Sequence, residues 1–479
     1  MNQIGVPAAP AAPDRDPHRP TYHFLPPSGW MNDPNGLLVV DGRLHLFYQH
    51  NPAGPYHDRI HWGHAVTDDL VHWRHLPIAL TPNPEGPDAR GCWSGCAVVH
   101  EGVPTLLYTG IDPQVQCLAT GDPDWLQWRQ DPTPVIAAPP AGVPVVGDPP
   151  EVRDPFLWRQ DDAWHLLLGT GLHAPDGGID GALLQYRSRD LRDWAYVGVA
   201  HRGRFAPNAF VWECPNLFEL DGRHVLLVSE QREFRYTHAQ TGSFDGRTFA
   251  PAWSGVADHG HVFYAALVVE HPAHRRLLFG WIKERRPEEI VRHRSRWSGA
   301  LSLARVLGVD AAGRLTMTPA PEYASLRREG RSERDFELRA GGDHVLPALR
   351  GDALELSLSA DVPAGSRLVI DLRATDDGAE RTRIVLDGTE RTIAVDTTRS
   401  SLDSDLGGDH VSARYGADGP LEVRVFLDAS IVEVFAGATT GITTRTYPTR
   451  SDATGVVLRA EGEGVCIRHC EGWRMAGVW

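Results

Sequence analysis

A hairpin-turn signal recurs five times in the first part of the chain at an almost constant spacing. Apolar runs flank short polar turns at 41–42, 101–102, 161–162, 221–222 and 271–274. Three of the first four turns are Asp-Gly or Glu-Gly, a strong hairpin signal because both central residues of a type I′ turn need positive φ. The starts of the turns are 60, 60, 60 and 50 residues apart. One unit of this kind cannot bury its own apolar face, so the repeat predicts five β-propeller blades stacked around an axis.

Three acidic residues recur at nearly the same distance ahead of these turns. Asp33 and Glu213 precede their turns by eight residues, and Asp154 precedes its turn by seven. In the other two units, the positions at the same distance ahead of the turn are occupied by Trp93, Ser94, Phe263 and Tyr264. If the strand before each turn is the innermost of its blade, all of these positions face one central funnel, which is the usual shape of a small-molecule site.

The repeat ends near residue 316, and new alternating strands such as 354–362 and 421–428 follow. Regular alternating strands with turn residues between them predict a β-sandwich. With 479 residues, 42% of them hydrophobic, the chain is long enough for two cores. We therefore predict an all-β chain composed of a disordered tail (1–20), a five-bladed propeller (21–316), a linker (317–334) and a β-sandwich (335–479).

Composition narrows the range of partners. The formal net charge is −15 and no basic cluster stands out, so neither nucleic acid nor a membrane surface is an expected partner. The Ala- and Pro-rich start lacks a basic segment and an apolar core, so we expect no signal peptide and a cytoplasmic location. The six cysteines, Cys92/Cys96 and Cys466/Cys470 among them, lack a common zinc spacing, so we expect buried free thiols and no metal.

The neighbours of Asp33 and Glu213 suggest two different environments. Asp33 lies in Trp-Met-Asn-Asp-Pro-Asn-Gly (30–36), where amides would keep a carboxylate ionised and able to act as a nucleophile. The alternative is an Asp that only holds a turn. Glu213 lies between Trp212 and Cys214, and loss of hydration there would raise its pKa toward the range of a general acid. The alternative is an exposed Glu on a strand.

Asp154 precedes Pro155, which favours an extended backbone. It could pair with Arg153 or another cation. In a sugar site it would instead accept hydrogen bonds from neighbouring hydroxyls of the substrate.

Several ordered motifs together resemble glycoside hydrolase family 32, the invertases, levanases and inulinases. They are WMNDPNG (30–36), FYQHNP (47–52), WGHA with DL-x-x-W (62–73), WSG (93–95), RDP (153–155), WECP (212–215), FYAA (263–266) and SIVEVF (430–435). The resemblance spans nearly the whole chain and implies a five-bladed propeller followed by a β-sandwich.

The resemblance also implies residue roles. Asp33 would be the nucleophile, Glu213 the general acid and then base, and Asp154 the stabiliser of the transition state. The residues implied to contact the fructosyl unit or shape its pocket are Asn32, Gln49, Trp62, Trp93, Ser94, Arg153, Tyr264 and Trp281. No metal or organic cofactor is implied.

We therefore predict a retaining β-fructofuranosidase that releases terminal β-D-fructofuranosyl units from sucrose or a short fructan. Its partner is a small carbohydrate, and the chain is expected to be a monomer or a homodimer. Three alternatives stay open: a fructosyltransferase using the same acids, a catalytically silent sugar-binding propeller, and an arabinan-type five-bladed glycosidase. The preferred fructoside is also open.

Overall fold

The computed structural model describes residues 16–205, 210–231, 236–273, 275–346, 349–416 and 419–479, and these residues are nearly all β-strand. Within them the helices are short: α1 (Glu288–Arg294) and the 3₁₀ turns Pro321–Leu326 and Ser404–Leu406. None of the helices in these ranges is long and apolar enough to cross a membrane.

The five repeat units of the described residues form five largely antiparallel sheets. The first contains β1 (Gly29–Val40), β2 (Arg43–Asn51), β3 (His61–Thr67) and β4 (Trp73–Leu80). The second contains β5 (Cys92–His100), β6 (Val103–Gly110), β7 (Val115–Gly121) and β8 (Trp128–Gln130). The third contains β9 (Val152–Gln160), β10 (Ala163–His173), β11 (Ile179–Ser188) and β12 (Ala195–Gly203). The fourth contains β13 (Trp212–Leu220), β14 (Arg223–Glu230), β15 (Tyr236–Phe244) and β16 (Phe249–Val256).

The fifth sheet begins with β17 (Phe263–His271) and β18 (Arg275–Ile282). After α1, the short strand β19 (Trp297–Ser298) pairs in parallel with β1, so a late segment closes onto the first sheet. The strands β20 (Ala300–Leu301), β21 (Arg305–Val309) and β22 (Leu315–Pro319) complete the fifth sheet.

The predicted hairpin turns are confirmed. Both central residues of the turns at 41–42, 101–102, 161–162 and 221–222 have positive φ, between 48° and 79°. The fifth turn connects β17 to β18, and His274 within it lies outside the described residues. The first strands of the five sheets contact one another in sequence, β1 with β5, β5 with β9, β9 with β13, β13 with β17, and β17 with β1. These five strands therefore surround a common axis.

Beyond residue 326 the described chain forms two six-stranded sheets. Their strands are β23 (Arg327–Leu338), β24 (Asp343–Val345), β25 (Ala353–Asp361), β26 (Arg367–Ala374), β27 (Thr382–Asp387), β28 (Thr392–Asp396), β29 (His410–Arg414), β30 (Leu421–Asp428), β31 (Ile431–Ala436), β32 (Thr440–Arg445), β33 (Gly455–Glu461) and β34 (Val465–Met475). The sheet orders are β23-β34-β25-β30-β31-β32 and β24-β33-β26-β27-β28-β29. Leu354, Leu356 and Leu358 of one sheet share a buried apolar cluster with Ile370 and Leu386 of the other, so the two sheets enclose one core.

Two predicted boundaries differ from the structure. Residues 1–15 of the predicted tail lie outside the described residues, but residues 16–20 are held in place, because Asp16 accepts hydrogen bonds from Arg286 (2.8 Å) and Trp297 (3.1 Å). The segment 317–334, predicted as a linker, contributes to β22, a 3₁₀ turn and β23. Its charged residues are mostly exposed on an edge strand, where charge is favoured because it discourages further strand pairing.

The two parts of the chain share a buried interface. Phe426 and Phe435 belong to the same apolar cluster as Leu301 from the fifth sheet. Beside them Arg305 is fully buried and donates hydrogen bonds to Asp258 (2.8 Å) and Glu433 (2.6 Å), one carboxylate from each part. Because a buried cation needs such partners, this contact fixes how the second part sits against the ring of sheets.

Candidate active site

Each of the five strands around the axis contains a β-bulge close to its start. The pairing register shifts by one residue between Met31 and Pro34, Trp93 and Gly95, Arg153 and Phe156, Glu213 and Asn216, and Tyr264 and Leu267. A bulge leaves a residue unpaired and redirects its side chain. Asp154, Cys214 and Ala265 adopt positive φ in these bulges (61°, 47° and 50°). The bulges therefore direct side chains from all five strands toward one place.

The predicted equal phase of the three acids needs a correction. β1 has a second bulge between Asn35 and Leu38, which adds one residue before its turn. When residue pairs are counted back from the hairpin turn, Asp33 therefore occupies the same position as Asp154 and Cys214, and both of these residues lie inside bulges. Glu213 instead directly precedes its bulge, as Arg153 does. The structure nevertheless brings the three acids into one contact network.

Asp33 is surrounded by hydrogen-bond donors. Its Oδ1 accepts from the Asn32 amide (2.9 Å), and its Oδ2 accepts from the Ser94 hydroxyl (2.5 Å) and the Gln49 amide (3.2 Å). Burial raises the pKa of Asp33, and although the bonds from Ser94 and Asn32 lower it, the net shift is upward, with the charge of Glu213 adding to the rise. The predicted amide and hydroxyl donors are therefore present and favour the ionised form, but burial has a larger and opposite effect on the pKa.

Asp154 is more deeply buried, with 5% of its surface accessible. Its Oδ2 accepts a hydrogen bond from the backbone N–H of Cys214 (2.9 Å). Burial raises the pKa of Asp154 to about 7; the Arg153 guanidinium opposes the rise, and the charges of Glu213 and Asp33 add to it. Asp154 therefore holds a proton well above the pH at which an exposed Asp loses it.

Cys214 connects the two aspartates. Its Sγ lies 3.7 Å from Asp33 Oδ2 and 3.6 Å from Asp154 Oδ2. Burial, followed by the charges of Asp154, Asp33 and Glu213, raises the pKa of the Cys214 thiol well above its usual value. The group is therefore a neutral S–H donor between two acceptors, a role that the sequence analysis did not assign to it.

The surroundings of Glu213 also differ from the prediction. Neighbouring residues on a strand point to opposite faces, and Trp212 is fully buried in an apolar cluster. Glu213 Oε1 instead accepts hydrogen bonds from Arg153 Nε (3.1 Å) and Nη2 (2.9 Å), and Oε2 accepts one from the Tyr264 hydroxyl. The pocket around this carboxylate is polar and contains a cation, whereas an apolar pocket was expected.

Arg153 is held by a set of polar partners that sequence reasoning did not find. The guanidinium, 2% exposed at its side chain, donates to Glu151, to Gln114 (3.2 Å) and to Gln231 (3.4 Å) as well as to Glu213. Glu151 lies two residues before Arg153, so the Glu-Val-Arg-Asp sequence was the one available signal. These contacts fix the orientation of the planar Arg153 guanidinium, which donates to Glu213.

Aromatic rings form much of the rim around the acids. Trp281 and Trp30 are 5.7 Å apart at their ring centroids, Trp30 and His57 are 5.9 Å apart, and His57 and Trp93 are 6.3 Å apart. The Arg153 guanidinium lies 5.8 Å from the Trp93 ring. Rings of this kind offer flat apolar faces with few polar groups, which suits the C–H faces of a sugar. His57, which is exposed, was not predicted from the sequence.

Other predicted residues lie close behind this rim. Trp30 Nε1 donates to Asn32 Oδ1 (2.7 Å), which orients the amide that reaches Asp33. Trp62 is fully buried and donates to the backbone carbonyl of Trp93 (3.0 Å), so it supports the rim from behind. In the described part of the chain, no group of three or more His, Cys, Asp or Glu side chains is arranged to hold a metal ion.

Comparison with known proteins places this arrangement in a family. The sequence profile described as "Glycosyl hydrolases family 32 N-terminal domain" matches residues 23–319, and that described as "Glycosyl hydrolases family 32 C terminal" matches residues 322–474. The chain belongs to glycosyl hydrolase family 32. This family member is 32% identical to a sucrose-6-phosphate hydrolase of Escherichia coli, with 95% of this chain and 94% of the relative covered. It is also 32% identical to a raffinose invertase of Escherichia coli, with 93% of each covered.

Solved structures agree with the family assignment. The glycosyl hydrolase resembles fructan 1-exohydrolase IIa from Cichorium intybus with a TM-score of 0.85 and 28% identity, covering 96% of this chain and 98% of that one. It resembles the Bombyx mori β-fructofuranosidase BmSUC1 with a TM-score of 0.79 and 27% identity, covering 96% and 95%. Both relatives align over almost their whole length.

Proposed function

We propose that this family 32 hydrolase is a retaining β-fructofuranosidase that acts on terminal β-D-fructofuranosyl units of sucrose or a short fructan. One observation carries the proposal: Asp33, Asp154 and Glu213, from three different sheets, meet in one network through Cys214 and Arg153. Relatives named sucrose-6-phosphate hydrolase, raffinose invertase and levanase support the choice of a fructoside.

The reaction is a double displacement. The ionised carboxylate of Asp33 attacks the anomeric carbon, the bond to the leaving oxygen breaks, and the protonated carboxyl of Glu213 gives that oxygen its proton. Glu213, now ionised, takes a proton from water, which attacks the same carbon and releases Asp33. Arg153 and Tyr264 hold Glu213 in place for both proton transfers.

Asp154 supports the charge that develops on the sugar. In its ionised form it accepts hydrogen bonds from fructosyl hydroxyls, and these strengthen as the ring becomes positive. The remaining site residues then hold the fructosyl unit: Asn32, Gln49 and Ser94 through their polar groups, and Trp93, Trp281 and Tyr264 through their rings, with Trp62 supporting Trp93. Neither half-reaction requires a metal or an organic cofactor.

The architecture proposed for this activity is a five-bladed propeller at about 21–316 followed by a β-sandwich. The ring of contacts between β1, β5, β9, β13 and β17 supports the propeller, and the shared core of the two six-stranded sheets supports the sandwich. Because β23 begins at Arg327, we place the second domain from that residue rather than from 335. The cytoplasmic location and the monomeric or homodimeric state stay predictions.

The activity is tested with a panel of fructosides. Released fructose is measured with sucrose, raffinose, an inulin-type oligosaccharide and sucrose 6-phosphate, and product chains are followed at high sucrose concentration. Hydrolysis of at least one fructoside with mostly free fructose as the product is expected. No turnover would indicate a sugar-binding propeller, and mainly transfer products would indicate a fructosyltransferase.

Asp33→Asn separates catalysis from binding. The amide fills almost the same space, so fructoside affinity should change by only a modest factor, whereas kcat should fall by about 10⁴ or more because an amide is a poor nucleophile. Retention of more than roughly a tenth of the wild-type kcat, a loss below about 1.4 kcal/mol, would exclude Asp33 as the nucleophile.

A further inference from the structure

Lysine is almost absent from this chain. The sequence contains 47 basic residues counted as Lys plus Arg, and reading it through gives a single lysine, Lys283, and thus 46 arginines (47 − 1). Exposed carboxylates of the described residues are accordingly paired with arginine in cases such as Arg43 with Asp68 and Arg450 with Asp452. The one lysine lies instead two residues after Trp281, a residue of the site rim. Its position suggests a function that specifically uses an ammonium group.

The backbone of Lys283 is fixed at the end of β18. Its N–H donates to the Val262 carbonyl (2.9 Å), and its own carbonyl accepts from Arg445 Nε (3.1 Å). The side chain is half-buried, and its Nζ lies 4.8 Å from the centre of the Tyr264 ring and 5.9 Å from that of Trp281. Cation–π contacts of this length hold an ammonium group over the rings.

Lys283 also completes the rim of the site. Contacts run from Lys283 to Trp281 and onward through Trp30, His57 and Trp93 to Arg153, which binds Glu213. From Glu213 they return through Tyr264 to Lys283. The ammonium is therefore two contacts away from the carboxyl that protonates the leaving oxygen, on the side of Tyr264 and Trp281.

We infer that Lys283 belongs to the subsite for the leaving-group sugar and donates hydrogen bonds to its hydroxyls; this rests on the proposed β-fructofuranosidase activity. The leaving group begins at the oxygen that Glu213 protonates, so it extends toward groups that surround Glu213 from outside. An ammonium group carries three N–H donors at the end of a narrow, flexible side chain, so it can reach sugar hydroxyls at several different positions. A guanidinium is wider and its donors are fixed in one plane, so arginine is a poor replacement here.

The test compares two fructosides that differ only in the leaving group: sucrose, which releases glucose, and methyl β-D-fructofuranoside, which releases methanol. Lys283→Met should lower kcat/KM for sucrose by about tenfold or more, the worth of a charged hydrogen bond, and change that for the methyl fructoside by less than about twofold. Lys283→Arg should recover less than half of the loss that Lys283→Met causes in the ratio of kcat/KM for sucrose to kcat/KM for the methyl fructoside. Arg285→Met, which removes a nearby cation bound to Asp409, is the matched control and should leave the ratio of the two values unchanged.

An equal fall for both fructosides would overturn the inference, since Lys283 would then act only through Tyr264 and Glu213. The inference would also be overturned if Lys283→Met changed kcat/KM for neither fructoside. Failure of the wild-type protein to hydrolyse any fructoside, those of the panel above included, would instead reject the proposed function, so the two failures are distinguishable.

A second measurement uses the uniqueness of the lysine and does not depend on turnover. Reductive methylation with ¹³C-formaldehyde labels only this side chain and the α-amino group, so Lys283 gives one assignable NMR signal. In Asp33→Asn protein, sucrose should shift this signal, and fructose alone should shift it far less. Equal shifts with both sugars would contradict a leaving-group subsite.

Discussion

Asp154→Asn should stabilise the fold while it abolishes turnover, and the size of the stabilisation should depend on pH. The pKa of Asp154 is raised by burial to about 7, from 3.8 for an unperturbed Asp. A carboxyl whose pKa is higher in the folded than in the unfolded chain destabilises the fold once pH exceeds the unfolded value. The cost then grows until pH passes the folded value and is constant above it.

The two pKa values set the magnitude. With about 1.4 kcal/mol per pKa unit, ionisation of Asp154 costs under about 1 kcal/mol at pH 4 and about 4 kcal/mol at pH 8. Asn cannot ionise, and its side-chain oxygen still accepts the Cys214 N–H. The stability gained by the variant over wild type should therefore increase by about 3–4 kcal/mol between these pH values.

The assay is chemical denaturation of both proteins at pH 4, 6 and 8, followed by tryptophan fluorescence. Asp161→Asn, in an exposed hairpin turn, is the matched control and should show no such trend. A difference between Asp154→Asn and wild type that stays constant from pH 4 to pH 8 would refute the reasoning. Kinetics on sucrose should show a large loss of kcat, because the neutral amide cannot support the developing positive charge.

Three further outcomes concern the contact between the two parts of the chain. Arg305→Met should lower the free energy of unfolding by about 3–5 kcal/mol, because Asp258 and Glu433 lose the buried guanidinium that they share; denaturation midpoints that match wild type would contradict this. Burial disfavours the charged form of His23, but the hydrogen bonds to Asp428 and Glu433 outweigh burial and raise the pKa of His23. The stability that His23 contributes is therefore fully present below about pH 6.5, the pKa of an unperturbed His, and is lost as pH rises through the raised pKa. In His23→Gln the melting temperature should therefore fall less steeply with rising pH than in wild type, and an identical pH dependence would contradict this prediction. Removal of residues 335–479 should expose the apolar cluster at this interface and cause aggregation, whereas a soluble, fully active truncation would show that the interface is dispensable.

The turn spacing was sufficient to predict the hairpins and the meeting of the acids. Positive φ at Asp41-Gly42 and at the matching turns follows from residue type, and a period near 60 residues places equivalent strands side by side. The bulges were not predicted, because a bulge is defined by pairing with another strand. A signal was nevertheless present: Pro follows at 34, 155 and 215, and Pro inside a strand is largely confined to bulges and edges.

The environments of the acids were predicted less well than their positions. Trp212 and Cys214 were taken as the neighbours of Glu213, but alternation along a strand turns Trp212 to the other face. The groups that bind Glu213, Arg153 and Tyr264, are 60 and 51 residues away in the chain. Contacts between sheets decide such environments, and no local stretch of sequence contains them.

The charged start of the second part was misassigned for a related reason. Residues 327–334 carry many charges and were predicted as part of a linker, yet they form most of β23. An edge strand with exposed charged side chains lacks the apolar alternation that marks a half-buried strand. Its pairing with β34 is visible only in the structure.

The central claim is that the fructosyl unit is transferred to Asp33. It is tested most directly in Glu213→Gln protein mixed with β-D-fructofuranosyl fluoride, whose leaving group needs little protonation, so that the intermediate forms but water is not activated to remove it. After acid quenching, digestion and mass spectrometry, a fructosyl adduct on the peptide that contains Asp33 is the predicted result. An adduct on the peptide that contains Asp154, with the Asp33 peptide unmodified, would contradict it.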